Sequence, residues 1–264
     1  GGLCGQPGVC VWVRPAVGSG AGGRRTFARK PRFGDAAVVC AGLSIAVLGF
    51  AVWSHHMFTA GISQGRWIPF MTTTEAISIP TGFLFLCALG SLWRGRIRFK
   101  TPMLFVMGMI YNFLIGGLTG VFLADVPIDL HLHDTFFVVA HFHYTIMGGM
   151  LFGLFAGMYY WFPKITGRMY NEAAGKVNFW WFFIAYNATF MPMFWLGYDG
   201  MNRRVAEYLP IYGDVNYFIS IAAFILGTSF LLPLANFVYS WAKGPAAEAN
   251  PWQAMTLEWQ TASP

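Results

Sequence analysis

The chain has 264 residues, of which 56% are hydrophobic, 18% aromatic and only 11% charged. Soluble domains carry about a quarter of charged residues, so this composition excludes an ordinary soluble globule. The apolar residues instead fall in blocks near the roughly 20 residues that cross a bilayer. A formal net charge of +6 does not indicate nucleic acid, because the basic residues sit in short loops between apolar blocks, the signature of the cytoplasmic or matrix side.

In chain order, residues 1–23 hold eight glycines, and glycine costs about 1 kcal/mol relative to alanine inside a helix. This stretch is expected to be an imperfect N-terminal segment. It shows no basic-then-apolar leader pattern and no initiator Met, as expected of a sequence that begins inside a longer one. Transmembrane helices are predicted over 36–58, 76–93, 102–124, 135–162 and 215–242, with a sixth, very aromatic one over 177–198. The fold class is therefore all-α, a polytopic transmembrane bundle of six helices plus the imperfect segment. Loops 24–34, 94–101 and 163–176, with the tail from 243, carry the basic residues and belong inside; loops 59–70, 125–134 and 199–214 face outward. Arg66, Arg203 and Arg204 defy that bias, and the adjacent Arg203 and Arg204 call for an anionic partner. Cys4, Cys10, Cys40 and Cys87 lack metal-site spacing and read as small core residues.

All six histidines lie between positions 55 and 143. Ionisable residues inside membrane helices are costly and mark cofactors or transport paths. His141 and His143 are two residues apart in VVAHFHYTIMGG, so at about 100° per residue their imidazoles diverge by roughly 200°. They suit two different centres on opposite sides of one helix, and imidazole is a standard axial ligand of haem iron. His55 and His56, in WSHHMFTAG, end the first span, where both can reach one ion; imidazole suits copper, zinc, iron or nickel. Asp125, Asp129, His131, His133 and Asp134 form a polar outer cluster in which a hard cation such as magnesium would take carboxylate oxygens. Asp134 also suits the start of a helix.

These runs carry a resemblance. HLHDTFFVVAHFHYTIMGG and WSHHMFTAG resemble stretches of haem–copper terminal oxidase subunit I, and IPTG, GGLTGVFLAD, GMNRR and NPWQAMTLEW follow in that family's order. The resemblance runs from Gly5 nearly to the end. It implies that residues 1–264 are the C-terminal portion of such a subunit, with 1–34 matching poorly and 243–264 forming a cytoplasmic tail. It also implies a respiratory enzyme reducing oxygen to water with electrons from cytochrome c, coupled to proton translocation. By resemblance, His141 is the proximal ligand of a high-spin haem and His143 an axial ligand of a low-spin haem, both of haem A type. His55 and His56 are two of three copper ligands, His133 and Asp134 a magnesium pair. Arg203 and Arg204, with Asp129, belong to the haem-propionate region. Implied partners are other oxidase subunits, notably the one carrying the electron-entry copper, together with cytochrome c and membrane lipid. The membrane would be a bacterial plasma membrane, or else a mitochondrial inner membrane.

Departures from the family pattern are local. Gly5-Gln6-Pro7-Gly8-Val9-Cys10 stands where the family has Gly-His-Pro-Glu-Val-Tyr, replacing the third copper ligand, a proton-channel acid and a redox tyrosine. Phe83-Leu84 stand where a proton-channel lysine is common, with Glu75 an acidic alternative on the same helix. Three other readings follow: an inactive fragment of the subunit, a nitric-oxide reductase-like subunit, and a transporter or channel lined by histidines.

Overall fold

A computed structural model describes residues 26–29 and 33–261. The predicted N-terminal segment, with Gln6, Gly8 and Cys10, lies outside the described residues. Among the described residues the fold is all-α, relieved only by two isolated bridges, Thr135–Asn202 and Arg168–Ala246.

The helices are α1 (Asp35–Val52), α2 (Trp67–Leu92), α3 (Thr101–Ala124), α4 (Val126–Leu132) and α5 (Phe136–Thr145). A π-helical segment, Ile146–Leu151, joins α5 to α6 (Phe152–Thr166), and α7 (Glu172–Tyr198), α8 (Gly213–Ser229) and α9 (Leu231–Lys243) follow. Five continuous runs are long and apolar enough to cross a membrane: Asp35–Met57, Gln64–Leu92, Thr101–Ala124, Phe136–Thr166 and Pro210–Lys243. The sixth, α7, has 27 residues, about 40 Å at 1.5 Å per residue; Asn178, Asn187 and Thr189 lower its apolarity. The protein is an integral membrane protein.

Where these helices differ from the predicted spans, side-chain chemistry explains the difference. The second begins at Trp67 rather than 76, because Thr73 and Thr74 return their hydroxyls to carbonyls one turn back, Pro69 O and Phe70 O, and so tolerate an apolar helix. In the fourth span, Gly148 and Gly149 sit in a π turn pressed against Asn112 and Phe113 of α3, where a Cβ would come within 2.7 Å of each. The last span breaks at Phe230. Pro233 has no N–H to offer the Ser229 carbonyl, and the wholly buried Asn178 of α7 donates its amide there instead at 3.2 Å. Cys87 is buried on α2, whereas Cys40 on α1 is exposed; both are free thiols.

The core lies between α3, α6 and α7 and is aromatic. Phe105 touches Phe155 and Phe179 at centroid distances of 5.2 Å each, and Phe152, Phe182 and Tyr186 continue the stack. The helix α5 packs against α3 and α7, and α1 packs chiefly against α2.

The two ends of the bundle differ. At the basic end the chain is laced to itself: Arg98 N–H donates to Phe27 O, Met169 N–H to Pro245 O, and the Trp252 indole to Tyr160 O. At the other end, Phe136 N–H donates to Met201 O and Arg203 N–H to Asp134 O, drawing loops 125–134 and 199–204 together.

Candidate metal and cofactor centre

Five of the six histidines are held by a specific partner. His141 is part-buried on α5, and its Nδ1 lies 3.0 Å from Gly116 O and 3.2 Å from Thr119 Oγ1, both on α3. The carbonyl can only accept, so Nδ1 carries the proton and Nε2 keeps its lone pair, the usual way a protein prepares an imidazole for a metal. The ring fits because Gly120 has no side chain: a Cβ there would stand 2.9 Å from His141 Cε1. His143 faces the other neighbour. Its Nδ1 donates to Val139 O at 2.8 Å, again leaving Nε2 as the lone-pair nitrogen, and its ring stacks on Phe190 of α7 with centroids 4.0 Å apart. One imidazole thus leans on α3 and the other on α7.

His55 and His56 lie in the 3₁₀ turn Trp53–Met57 that ends α1. Their Nε2 atoms approach to 2.9 Å, so an ion about 2.0 Å from each would touch both at roughly a right angle. Thr74 of α2 sets the orientation. Its hydroxyl donates to Phe70 O and so accepts from His55 Nδ1, 3.1 Å away.

At the end opposite the basic loops, His133 Nδ1 donates to the buried Asp129 Oδ2 at 3.0 Å, and its Nε2 is 3.9 Å from Asp134 Oδ2. Burial pushes the Asp129 carboxyl up, against the lowering effect of the His133 hydrogen bond. Asp134 moves the opposite way. The hydrogen bond from Arg203 holds its carboxyl below the usual carboxylate range. The guanidinium donates from Nε and Nη2 to one oxygen, Oδ1, at 2.8 and 2.6 Å. Asp134 and Arg204 both have positive φ, 55° and 63°, a conformation that persists in such residues only when neighbours enforce it; the backbone bond between Arg203 and Asp134 does so here. Arg204 is exposed. His131 is exposed and outside these contacts. Among the described residues no group of three or more His, Cys, Asp or Glu gathers to hold a metal.

Thr74, Gly116, Thr119, Gly120 and Phe190 were not singled out from the sequence. Only the glycines and Thr119 carried a signal, inside GGLTG. The Asp134–Arg203 pairing was also unforeseen; Asp134 answers the charge for which the sequence demanded an anion.

A family model described as cytochrome c and quinol oxidase polypeptide I matches residues 3–231. Cytochrome c oxidase subunit 1 of Synechocystis sp. is 47% identical over 259 residues, covering 98% of this chain and 47% of that protein. The same subunit of Thermostichus vulcanus is 44% identical, with 98% of this chain and 47% of that protein covered. That of Cereibacter sphaeroides is 43% identical over 263 residues, with 98% and 46% covered. The chain spans about half the length of these relatives. A heme–copper terminal oxidase dimer determined by cryo-EM matches in fold with a TM-score of 0.71 and 19% identity, over 83% of this chain and 44% of that one. With the family model covering most of its length, the chain belongs to the cytochrome c and quinol oxidase polypeptide I family.

Proposed function

We propose that this chain is part of the catalytic subunit of a respiratory terminal oxidase that reduces oxygen to water with electrons from cytochrome c, coupled to proton translocation. The observation that supports it best is the pair His141 and His143: two imidazoles on one helix, each fixed through Nδ1 by a main-chain oxygen, each presenting Nε2 to a different side. In this reading His141 holds a high-spin haem, His143 a low-spin haem, both of haem A type, and His55 and His56 hold copper on the side of His141. These groups would supply electron transfer and oxygen reduction. The residues fit: three lone-pair nitrogens are oriented by hydrogen bonds, and the copper pair already converges.

The protein's own contribution is positional. Gly116 and Thr119 fix the ring of His141, Gly120 makes room for it, Phe190 sets the plane of His143, and Thr74 fixes His55. The outer residues Arg203, Arg204 and Asp129 would lie toward haem propionates, and His133 with Asp134 would hold magnesium. Because Arg203 already pairs with Asp134, Arg204 is the arginine whose charge is left for a propionate. A third copper ligand at position 6 is Gln in this sequence, and a second axial ligand for the His143 haem would come from the part of its longer relatives that this chain does not span. On this reading the chain works only with that part, and with further oxidase subunits including the one bearing the electron-entry copper.

The test is spectroscopic. In an oxidase assembled with this sequence, His143→Ala removes the low-spin haem signature and spares the high-spin one, and His141→Ala does the reverse. Two variants with identical, undiminished haem spectra would overturn the assignment.

A further inference from the structure

Away from the histidines, the interior holds a neutral polar cluster that the oxidase reading does not use. It lies where α3, α7 and the π-helical segment meet. Tyr144 OH donates to Asn187 Oδ1 at 2.7 Å; Asn187 Nδ2 donates to Phe183 O at 2.9 Å and reaches Asn112 Oδ1 at 3.4 Å. Asn112, Tyr144 and Tyr186 are each 0% exposed. Two groups stand out: Asn112 Nδ2 and Tyr186 Oη are buried and have no hydrogen-bond partner among the described residues. The backbone of Gly148 comes close to the Tyr186 hydroxyl without hydrogen-bond geometry.

Both residues border Gly148. A Cβ at that position would lie 2.7 Å from Asn112 Cβ and 3.1 Å from Tyr186 Oη, so only glycine lets α3, α7 and the π turn approach there. Neither lipid nor solvent can reach a wholly buried amide or hydroxyl inside a membrane bundle, and such groups are costly unless paired. No charged side chain joins the cluster, so the ligand it suits is neutral, small, and both donor and acceptor. A buried water makes two to four hydrogen bonds to otherwise unmet polar groups, which matches this pair.

We propose that Asn112 and Tyr186, meeting at the Gly148 π turn, bind a single internal water molecule. The Asn112 amide donates to its oxygen, and the water and the Tyr186 hydroxyl share a second hydrogen bond. The water completes a chain from Tyr186 through Asn112 and Asn187 to Tyr144, the residue after His143, and so ties α3, α5 and α7 together beside that ligand. The inference stands independently of the haem and copper assignments.

The experiment uses the assembled complex containing the full-length subunit with this sequence. Tyr186→Phe and Asn112→Leu each lower Tm by about 2–4 °C, because either change leaves the water and the remaining partner short of a bond. The double variant loses less than the sum. A rise in Tm for Tyr186→Phe, with additive singles, is the behaviour of an orphaned hydroxyl and overturns the proposal. A high-resolution cryo-EM map of the unaltered complex decides the matter even where the variants fail to assemble. Density within about 2.7–3.2 Å of both Asn112 Nδ2 and Tyr186 Oη supports the site, and an empty map there refutes it.

Discussion

The α3–α7 region and the α1–α2 pair hold their histidines in opposite ways. His141 and His143 sit on a helix enclosed on both sides, and main-chain oxygens fix their Nδ1 atoms. His55 and His56 sit in a 3₁₀ turn at the end of a helix, and a single hydroxyl, that of Thr74, orients the pair. The packing differs in the same sense. The first region is closed by an aromatic core, while α1 and α2 leave Val47 73% and Ile79 75% exposed. A centre between enclosed helices is set by backbone, which substitution barely alters; one at the edge of a thinly packed pair depends on individual side chains.

The largest expected effect tests the enclosure. Gly197→Ala would drive a Cβ into the backbone nitrogen of Phe137, separating α7 from the start of α5; folded, monodisperse protein should not be recovered. Gly82→Ala on α2 meets nothing within 4 Å and should stabilise slightly, by about 0.5–1 kcal/mol, through reduced chain entropy. A clear Tm loss in the α2 variant would show that its open face is covered in the assembly.

Next comes Asn178→Leu, which removes the acceptor for Tyr159 OH and the donor to Ser229 O beside Pro233. Each buried group left without a partner costs about 1–3 kcal/mol, so thermal unfolding should move down sharply; an unchanged Tm would mean that the α8–α9 break is self-sufficient. Thr74→Val sharpens the contrast directly. On the proposed assignment it should weaken copper retention at His55 and His56 by about 10–100-fold, the usual effect of removing a partner that orients a ligand. Metal titration measures this, while the His141 spectrum stays as it was; equal disturbance of both centres would break the contrast.

The smallest effect lies at the Asp134–Arg203 pair. Arg203 depresses the folded-state pKa of Asp134, so the pair's stabilisation is present above the unfolded carboxylate value, about pH 3.9, and is lost as pH falls through the lower folded value. In Arg203→Gln the Asp134 carboxyl should titrate closer to that ordinary value, as read from its infrared carboxyl band. Titration at an unchanged pH would show that Arg203 does not set it.

The sequence by itself determined the all-α membrane architecture, because apolar block length against bilayer thickness leaves few alternatives. It also determined that His141 and His143 diverge, since residues two apart on a helix cannot point the same way. It placed the start of α2 too late, because hydropathy penalises Thr73 and Thr74 for hydroxyls that the helix's own carbonyls satisfy. It marked Arg203 and Arg204 as needing an anion, but only the approach of two loops made Asp134 the anion of Arg203. The π turn at Gly148, the Asn178 clamp at Pro233, the Thr74 bond to His55 and the meeting of Asn112 and Tyr186 at Gly148 were tertiary decisions. Each depends on atoms far apart in the chain meeting within a few ångströms, and local periodicity carries no record of such meetings.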